Sequence, residues 1–416
     1  MINSSYSEVI EVIEQENIIT VFQPIINIKE KKIVGVEALS RGIEPGTGKI
    51  ISPMKLFNEA KVLGKSLEID RICRKKAIES FIRLQHISNY ILFMNIDSSI
   101  LDRPNIIPGW TKRLAESAGI AFNSIAIEIV ETRIRSIEKL IKFVEDCKNN
   151  GFLIVLDDFG ANHSNLDRIV QVKPDIIKID KELVKRVDKD YFKQSIINSI
   201  IHLSNKIGAI TLAEGIETEE EVIKCYEMGI SHFQGYYFSE PTNDVNNFEE
   251  HCLKKIEKTV NSINLYLQEK LFKNQQNKQK YLAMLEKILL KLKKAKPENF
   301  NQEIANIQKG LEDVECIYIL NMDGIQISIT TYDSNEIPQR KHKIFQPAKI
   351  GTDHSLKEYY YYLKKLGLPF YFSDEYISHA TGNLCRTLSV VFKNKNSKHY
   401  ILCVDFIVQE FKKAST

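Results

Sequence analysis

The chain has 416 residues, 43% of them hydrophobic and 27% charged, which is ordinary for a soluble globular protein of two or three domains. Its net charge of +3 is too small to imply nucleic acid, so no DNA partner is expected. The seven cysteines are scattered and include no Cys-x-x-Cys pair, which argues against a zinc site and a disulfide framework and for reduced thiols in a cytoplasm.

The first residues, MINSSYSEVIEVIEQ, are acidic and lack the basic and apolar regions of a secretory signal. From about residue 20 to 240, short β-rich apolar runs alternate with longer amphipathic stretches. The runs are IITVFQPI, KIVGVEAL, YILFMNID, SIAIEIVE, FLIVLDD, DIIKID, AITLAEG and HFQGYYF. Apolar on both faces, they read as parallel strands covered by helices. Gly64, Gly151, Gly208 and Gly229 mark helix stops between them. The repetition predicts a closed TIM-like (β/α) barrel over residues 1–245, with a doubly wound open sheet as the alternative. No stretch is apolar enough for a transmembrane helix; SIINSIIHLSNKIGAITLA comes closest but is broken by His202, Asn205 and Lys206.

Residues 246–298 form a second segment, free of proline and glycine from 247 to 296, and read as one or two long helices. Its residues 264–296 hold nine lysines and read as a solvated face rather than a membrane or nucleic-acid arm. Leu282, Leu285, Leu289 and Leu292 recur at helical spacing, so one face can pack against a partner. After Pro297, residues 299–416 read as a smaller α+β domain. It has a turn at Met322-Asp323-Gly324, a helix in SLKEYYYYLKKLG, and antiparallel strands in LCRTLSVVFK and HYILCVDFIV.

The chemistry lies where the strands of the first segment end. Their last positions carry Glu37, Asn95, Glu128, Asp157 with Asp158, Lys178 with Asp180, Glu214 and Gln234. In a barrel these ends share one rim, the rim that bears active sites. Acids gathered there repel one another unless cations lie between them, so the pattern argues for a divalent metal. Oxygen-only donors favour Mg²⁺ or Mn²⁺ over zinc or copper. The adjacent Asp157 and Asp158 can supply a bridging and a terminal ligand to two ions, a recurring device for in-line attack on a phosphodiester, with Lys178 orienting the water or stabilising the developing charge.

These residues fall in motifs that closely resemble the EAL family of bacterial cyclic-di-GMP phosphodiesterases. VEALSR resembles the family signature, and FQPI, FMNID, IEIVE, LDDFG, IKID, AEGIET and QGYYFSEP match its other motifs in order over residues 5–245. The resemblance implies a barrel that hydrolyses cyclic-di-GMP to linear 5′-pGpG with Mg²⁺ or Mn²⁺. It implies that Glu37, Asn95, Glu128 and Asp157 hold one metal and that Asp157 and Asp158 hold a second. Glu214 and Lys178 would then act on the attacking water, and Glu131 would stabilise the loop after Asp158. Gln23, Arg41, Asp180, Glu217, Gln234 and Pro241 would contact the dinucleotide, and a homodimer is implied. One departure stands in that loop: Asn162 and Asn165 replace a family glycine and serine in DDFGANHSNL. Asparagine tolerates positive φ less freely than glycine. The alternative function is therefore a cyclic-di-GMP receptor with little turnover. The last segment more weakly resembles the PAS-like or Cache-like sensor domains that follow some EAL domains. Tyr359, Tyr361 and Arg386 are candidates to line a small-molecule pocket there.

Overall fold

The apolar runs of the first segment become strands β1 (Ile18–Asn27), β2 (Lys32–Ile43), β3 (Ile50–Ile51), β4 (Ile91–Ile96), β5 (Ile125–Val130), β6 (Leu153–Phe159), β7 (Ile176–Ile179), β8 (Ile210–Ala213) and β9 (His232–Phe233). The computed structural model describes residues 5–84, 90–97, 100, 109–130, 136–161, 166–311, 314–332 and 345–408. Glu131, Asn162 and Asn165 lie outside them. Pairing runs β1-β9-β8-β7-β6-β5-β4-β2 and returns from β2 to β1, so eight strands close a barrel and the open-sheet alternative falls. β3 is a short antiparallel extension of β2.

The expectation of uniformly parallel strands needs one correction. β1 runs antiparallel to both β2 and β9. The cause is the link: only residues 28–31, all in a turn, separate β1 from β2. A parallel connection needs a dozen or more residues, whereas a hairpin needs only a few.

Side chains alternate along a strand with period two, and this sets the interior of the barrel. Ile25, Phe93, Ala126, Val155, Ile176 and Leu212, one from each of six strands, pack together as a buried layer. Gly35 of β2 leaves room for this layer, since a Cβ there would lie 2.8 Å from the Phe93 ring and 2.5 Å from the Ile91 carbonyl oxygen. Two positions along each strand from the layer stand Gln23, Asn95, Glu128, Asp157, Lys178 and Glu214, on the same inward face. The residues between them point outward. Leu92, Met94, Ile127, Ile129, Ile154 and Leu156 are buried against the surrounding helices in the main core.

The helices obey ordinary end rules. Thr218 forms a complete capping box with Glu221 at the start of helix Glu219–Met228, and Gly229, at φ 114°, closes it. Gly208, at φ 75°, closes helix Tyr191–Ile207 in the same way.

The chain divides into two compact units, residues 1–268 and 269–416. A single 50-residue helix, Val245–Lys294, gives its first part to one unit and its last part to the other. Phe248, Cys252, Ile256 and Ile263 join the core of the first unit. In the second unit Leu285, Ile288 and Leu292 are buried with Phe300 and Ile304. The leucine face read from sequence as open to a partner is thus occupied within its own unit, which removes that support for a dimer. The lysines from Lys273 onward are exposed. Among the described residues no helix is long and apolar enough to cross a membrane.

The second unit holds an antiparallel sheet of β10 (Val314–Leu320), β11 (Thr331–Tyr332), β12 (Phe370–Phe372), β13 (Tyr376–Ile377), β14 (Leu384–Lys393) and β15 (His399–Ile407), in the order β11-β10-β15-β14-β12 with β13 on β14. One face of the sheet, with Ile317, Ile319, Leu402 and Val404, is apolar. The other buries polar groups. Asp405 accepts a 2.7 Å bond from Thr387, and His354 lies 2.7 Å from the Tyr359 hydroxyl and 3.0 Å from Gln326. Burial pushes the Asp405 carboxyl up to about 7 and the His354 imidazole down to about 4. Tyr359 is buried here, Tyr361 is half exposed, and Arg386 is exposed and ion-paired with Glu375, so the three do not share one environment.

Candidate active site at the barrel rim

Strand period and register bring the strand-end residues into one constellation. Asn95 of β4 stands opposite Glu128 of β5, and Gln23 of β1 opposite Glu37 of β2. At the centre is Lys178, 1% exposed, which ion-pairs with Glu214, with Glu128 at 2.7 Å, with Asp157 at 3.3 Å and with Glu37 at 3.4 Å. Glu37 also accepts from Asn95 at 2.8 Å and from Gln234 at 2.6 Å. Gln234 donates to Gln23 at 3.0 Å, and Gln23 donates to the Ser239 carbonyl at 3.1 Å.

The Asp-Asp pair is set by a bulge. Pairing of β6 with β7 shifts register between Leu156 and Phe159, and Asp158 adopts φ 54°, a conformation that favours glycine. The bulge lets two successive carboxylates reach the same space, where an alternating strand would send one outward. Asp157, Asp158 and Glu214 each place a carboxylate oxygen within 4.8 Å of the others. Backbone held this way is a common mark of a functional site.

The electrostatics are those of a crowded acid cluster. Burial pushes the Glu128 carboxyl well above the ordinary range, and the charges of Glu37 and Asp157 add to it against the pull of Lys178. Burial does the same to Glu214, again against Lys178, with Asp157 and Glu37 adding to the rise. Glu37 ends below its ordinary range: burial opposes ionisation, but Lys178 and the amides of Gln234 and Asn95 outweigh it. Burial alone would lower Lys178, yet its four acid neighbours lift it well above the ordinary lysine value.

These residues fit divalent metal. Both Glu128 oxygens and Asp157 Oδ1 are buried with no aligned hydrogen-bond donor, although Lys178 is near, and the atoms that converge as metal ligands are carboxylate oxygens. A testable consequence follows from the raised carboxyls. A metal must displace the protons that Glu128 and Glu214 retain, so affinity for Mn²⁺ should rise with pH. The expected gain is about tenfold per pH unit for each proton released. Calorimetry in buffers of different ionisation enthalpy measures that release; a pH-independent affinity with no proton release would refute it.

A cavity of about 280 Å³ opens beside the acids, lined by Arg41, Asn95, Asp97, Asp157 and Asp158 and walled by Asp70, Cys73 and Arg74. Arg41 donates to the Ser40 carbonyl at 3.0 Å. Three expected substrate contacts are placed differently. Asp180 is buried and accepts from the Glu182 amide at 2.8 Å, capping the short helix Lys181–Val184. Glu217 is exposed, and its amide donates to Glu221 at 2.9 Å. Pro241 is half-buried beside Thr242, which bridges to Phe22 of β1. The wall formed by Asp70 and Arg74 was not expected, because a carboxylate and a guanidinium four apart on a helix read as an ordinary exposed pair.

An eight-stranded barrel with its acids, one lysine and its amides on one rim defines a TIM-like α/β protein with a site suited to phosphate and metal chemistry. The chain belongs to the EAL domain family, whose model matches residues 7–241. It is 27% identical over 384 residues to the EAL-domain containing protein YkuI of Bacillus subtilis, spanning 90% of this chain and 91% of that one. The crystal structure of YkuI in complex with substrate c-di-GMP and calcium superposes with a TM-score of 0.76 over 96% of this chain and 99% of that one; at 23% identity this is a likeness of fold. The cyclic di-GMP phosphodiesterase PdeA of Borreliella burgdorferi is 27% identical over 243 residues, 58% of this chain and 36% of PdeA. A calcium and cyclic-di-GMP complex of Klebsiella pneumoniae BlrP1 matches with a TM-score of 0.50 at 29% identity, over 55% of this chain and 57% of that one.

Proposed function

We propose that the chain is a metal-dependent phosphodiesterase that hydrolyses cyclic-di-GMP to linear 5′-pGpG. The observation that carries this reading is the convergence of Asp157, Asp158 and Glu214 within 4.8 Å, beside a lysine buried among four acids. Membership of the family supports it, as do relatives whose names and structures record cyclic-di-GMP and calcium. Glu37, Asn95, Glu128, Asp157 and Asp158 would hold two divalent ions, Mg²⁺ or Mn²⁺. When bound, such ions polarise the phosphate and lower the pKa of a bound water.

The chain's own groups do the rest. Arg41, on the cavity wall, offers a forked donor to a phosphate oxygen. Gln23 and Gln234 present amides beside Glu37 for the polar edge of the dinucleotide. Lys178 supplies fixed positive charge where the attacking oxygen approaches. Glu214, whose carboxyl retains protons strongly, takes the proton that this water loses. A bond from water oxygen to phosphorus forms, the bond to the 3′ oxygen breaks, and that oxygen takes up a proton from solvent water as it leaves. Residues 299–416, which hold the antiparallel sheet with one buried polar face, serve as a PAS-like or Cache-like sensor that regulates this activity.

The test is turnover by the purified full-length chain with Mn²⁺ or Mg²⁺ and an EDTA control, read as pGpG. Product that needs metal and vanishes in Glu37→Ala is the expected result. Tight binding of cyclic-di-GMP with no product under either metal would replace this reading with a receptor, and Asn162→Gly would then be expected to restore turnover.

A further inference from the structure

Asp70 stands on helix Ser66–Phe81, outside every motif that pointed to the site, yet it forms part of the cavity wall. It is 3% exposed. Its Oδ1 accepts the Asp97 backbone N–H at 3.0 Å. Its other oxygen pairs with Arg74, one helical turn on and 6% exposed. The Arg74 guanidinium in turn donates to Thr111 and lies over the Trp110 ring, 5.0 Å from its centroid. One carboxylate therefore joins three segments: its own helix, the end of β4, and helix Trp110–Ser117.

The end of β4 matters because of what it carries. Asp97 follows Asn95 by two residues, just past the last ladder position at Ile96. Its N–H lies past the sheet ladder, beside the cavity. Asp70 meets it from a helix, so a buried carboxylate oxygen holds the strand end. Asn95 itself is open to the cavity, and its side-chain amide donates to Glu37 at 2.8 Å.

We propose that Asp70 is a positioning residue: by holding the Asp97 amide it fixes the end of β4 and aims the Asn95 side chain at the metal-binding rim. This rests on the phosphodiesterase reading above. The ion pair with Arg74 orients the carboxylate, and its second role is to keep the acceptor aimed at β4 instead of at solvent. Groups that orient a metal ligand change metal affinity by about tenfold or more when removed.

Two double variants separate the acceptor from the ion pair. Asp70→Leu/Arg74→Leu replaces the pair with apolar volume, a change often tolerated by folds, and removes the acceptor. Asp70→Asn/Arg74→Gln also removes both charges but keeps an oxygen for the Asp97 amide. Ile78→Ala, a core change on the same helix, controls for general loss of stability. Mn²⁺ binding by calorimetry on the full-length chain, with pGpG formation across a Mn²⁺ series, reads the result. The leucine variant should need about tenfold more Mn²⁺ for half-saturation in both assays, with turnover restored at saturating Mn²⁺. The Asn/Gln variant should stay near wild type, as should Ile78→Ala. If the leucine variant does not fold, Asp70→Ala/Arg74→Gln takes its place. Equal shifts in both double variants, no shift in either, or an equal shift in Ile78→Ala would overturn the proposal. A wild-type chain that binds Mn²⁺ but makes no product overturns the phosphodiesterase reading alone, since the calorimetric arm still decides the role of Asp70. A wild type that binds no Mn²⁺ overturns both.

Discussion

Replacing Lys178 with methionine is expected to remove turnover and to weaken the metal-free fold of the barrel together. The side chain is buried and is the shared cation of Glu37, Glu128, Asp157 and Glu214. Methionine keeps most of the volume, so the loss is one of charge. Removing one partner of a buried ion pair costs about 3–5 kcal/mol, because the other charges are left uncompensated. The loss should depend on pH. Without the lysine, the acids have folded pKa values raised further above their unfolded ones, so the folded state binds more protons than the unfolded. Stability then falls as pH rises, and the variant should be closest to wild type under mildly acidic conditions and worst above neutrality. Urea unfolding in EDTA at two pH values measures this. An unfolding midpoint equal to that of the wild type at neutral pH would show that the lysine is not the counter-ion described here. Saturating Mn²⁺ should recover much of the stability but not the turnover.

Glu214→Ala separates chemistry from binding. Glu214 reaches the Asp157–Asp158 pair and contacts Lys178, but it is the most exposed of the lysine's four acid partners, at 17%. It is therefore the one of the four most open to an attacking water. Loss of a positioned proton acceptor lowers rates by about 10²–10⁴-fold. The variant should lose turnover by that factor while retaining cyclic-di-GMP affinity close to wild type. Single-turnover pGpG formation together with a fluorescence binding isotherm decides it; a binding loss as large as the rate loss would make Glu214 a ligand-holding residue instead. The variant also distinguishes the receptor alternative, in which the wild type already binds without turning over.

The sequence exposed the barrel and most of the rim for one reason: parallel strands buried on both faces write continuous apolar runs, and a polar residue at the end of such a run stands out. Glu37, Asn95, Glu128, Asp157, Lys178, Glu214 and Gln234 were all legible in that way. The bulge at Asp157–Asp158 was not, because it changes which side a residue faces without changing the residues. The direction of β1 was legible in principle, from a four-residue link too short for a crossover, but the apolar pattern that reveals strands is blind to direction. Asp70 was hidden because an acid and a base four apart on an amphipathic helix suggest an exposed pair, and only the packing of helix Ser66–Phe81 on β4 buries them. In the second unit, the tyrosines of EYYYYLKKL look alike in sequence. Helical geometry sends Tyr359 to the core and Tyr361 to the surface.

The seam of the barrel has a consequence for how the protein is made. β1 closes the ring by pairing with β9, and the hydrogen bond from Gln234 to Gln23 spans 211 positions of chain. The barrel's first strand must therefore wait for its last before the ring exists. Contacts of such separation are formed late, after the loop entropy between them has been overcome. A nascent or prematurely ended chain can hold Glu37, Asn95 and Glu128 on neighbouring strands, yet it lacks Lys178, Glu214 and the amide bridge at the seam. The rim is in effect a check on synthesis: an incomplete copy has Glu37, Asn95 and Glu128 but neither the cation nor the closure that completes the constellation.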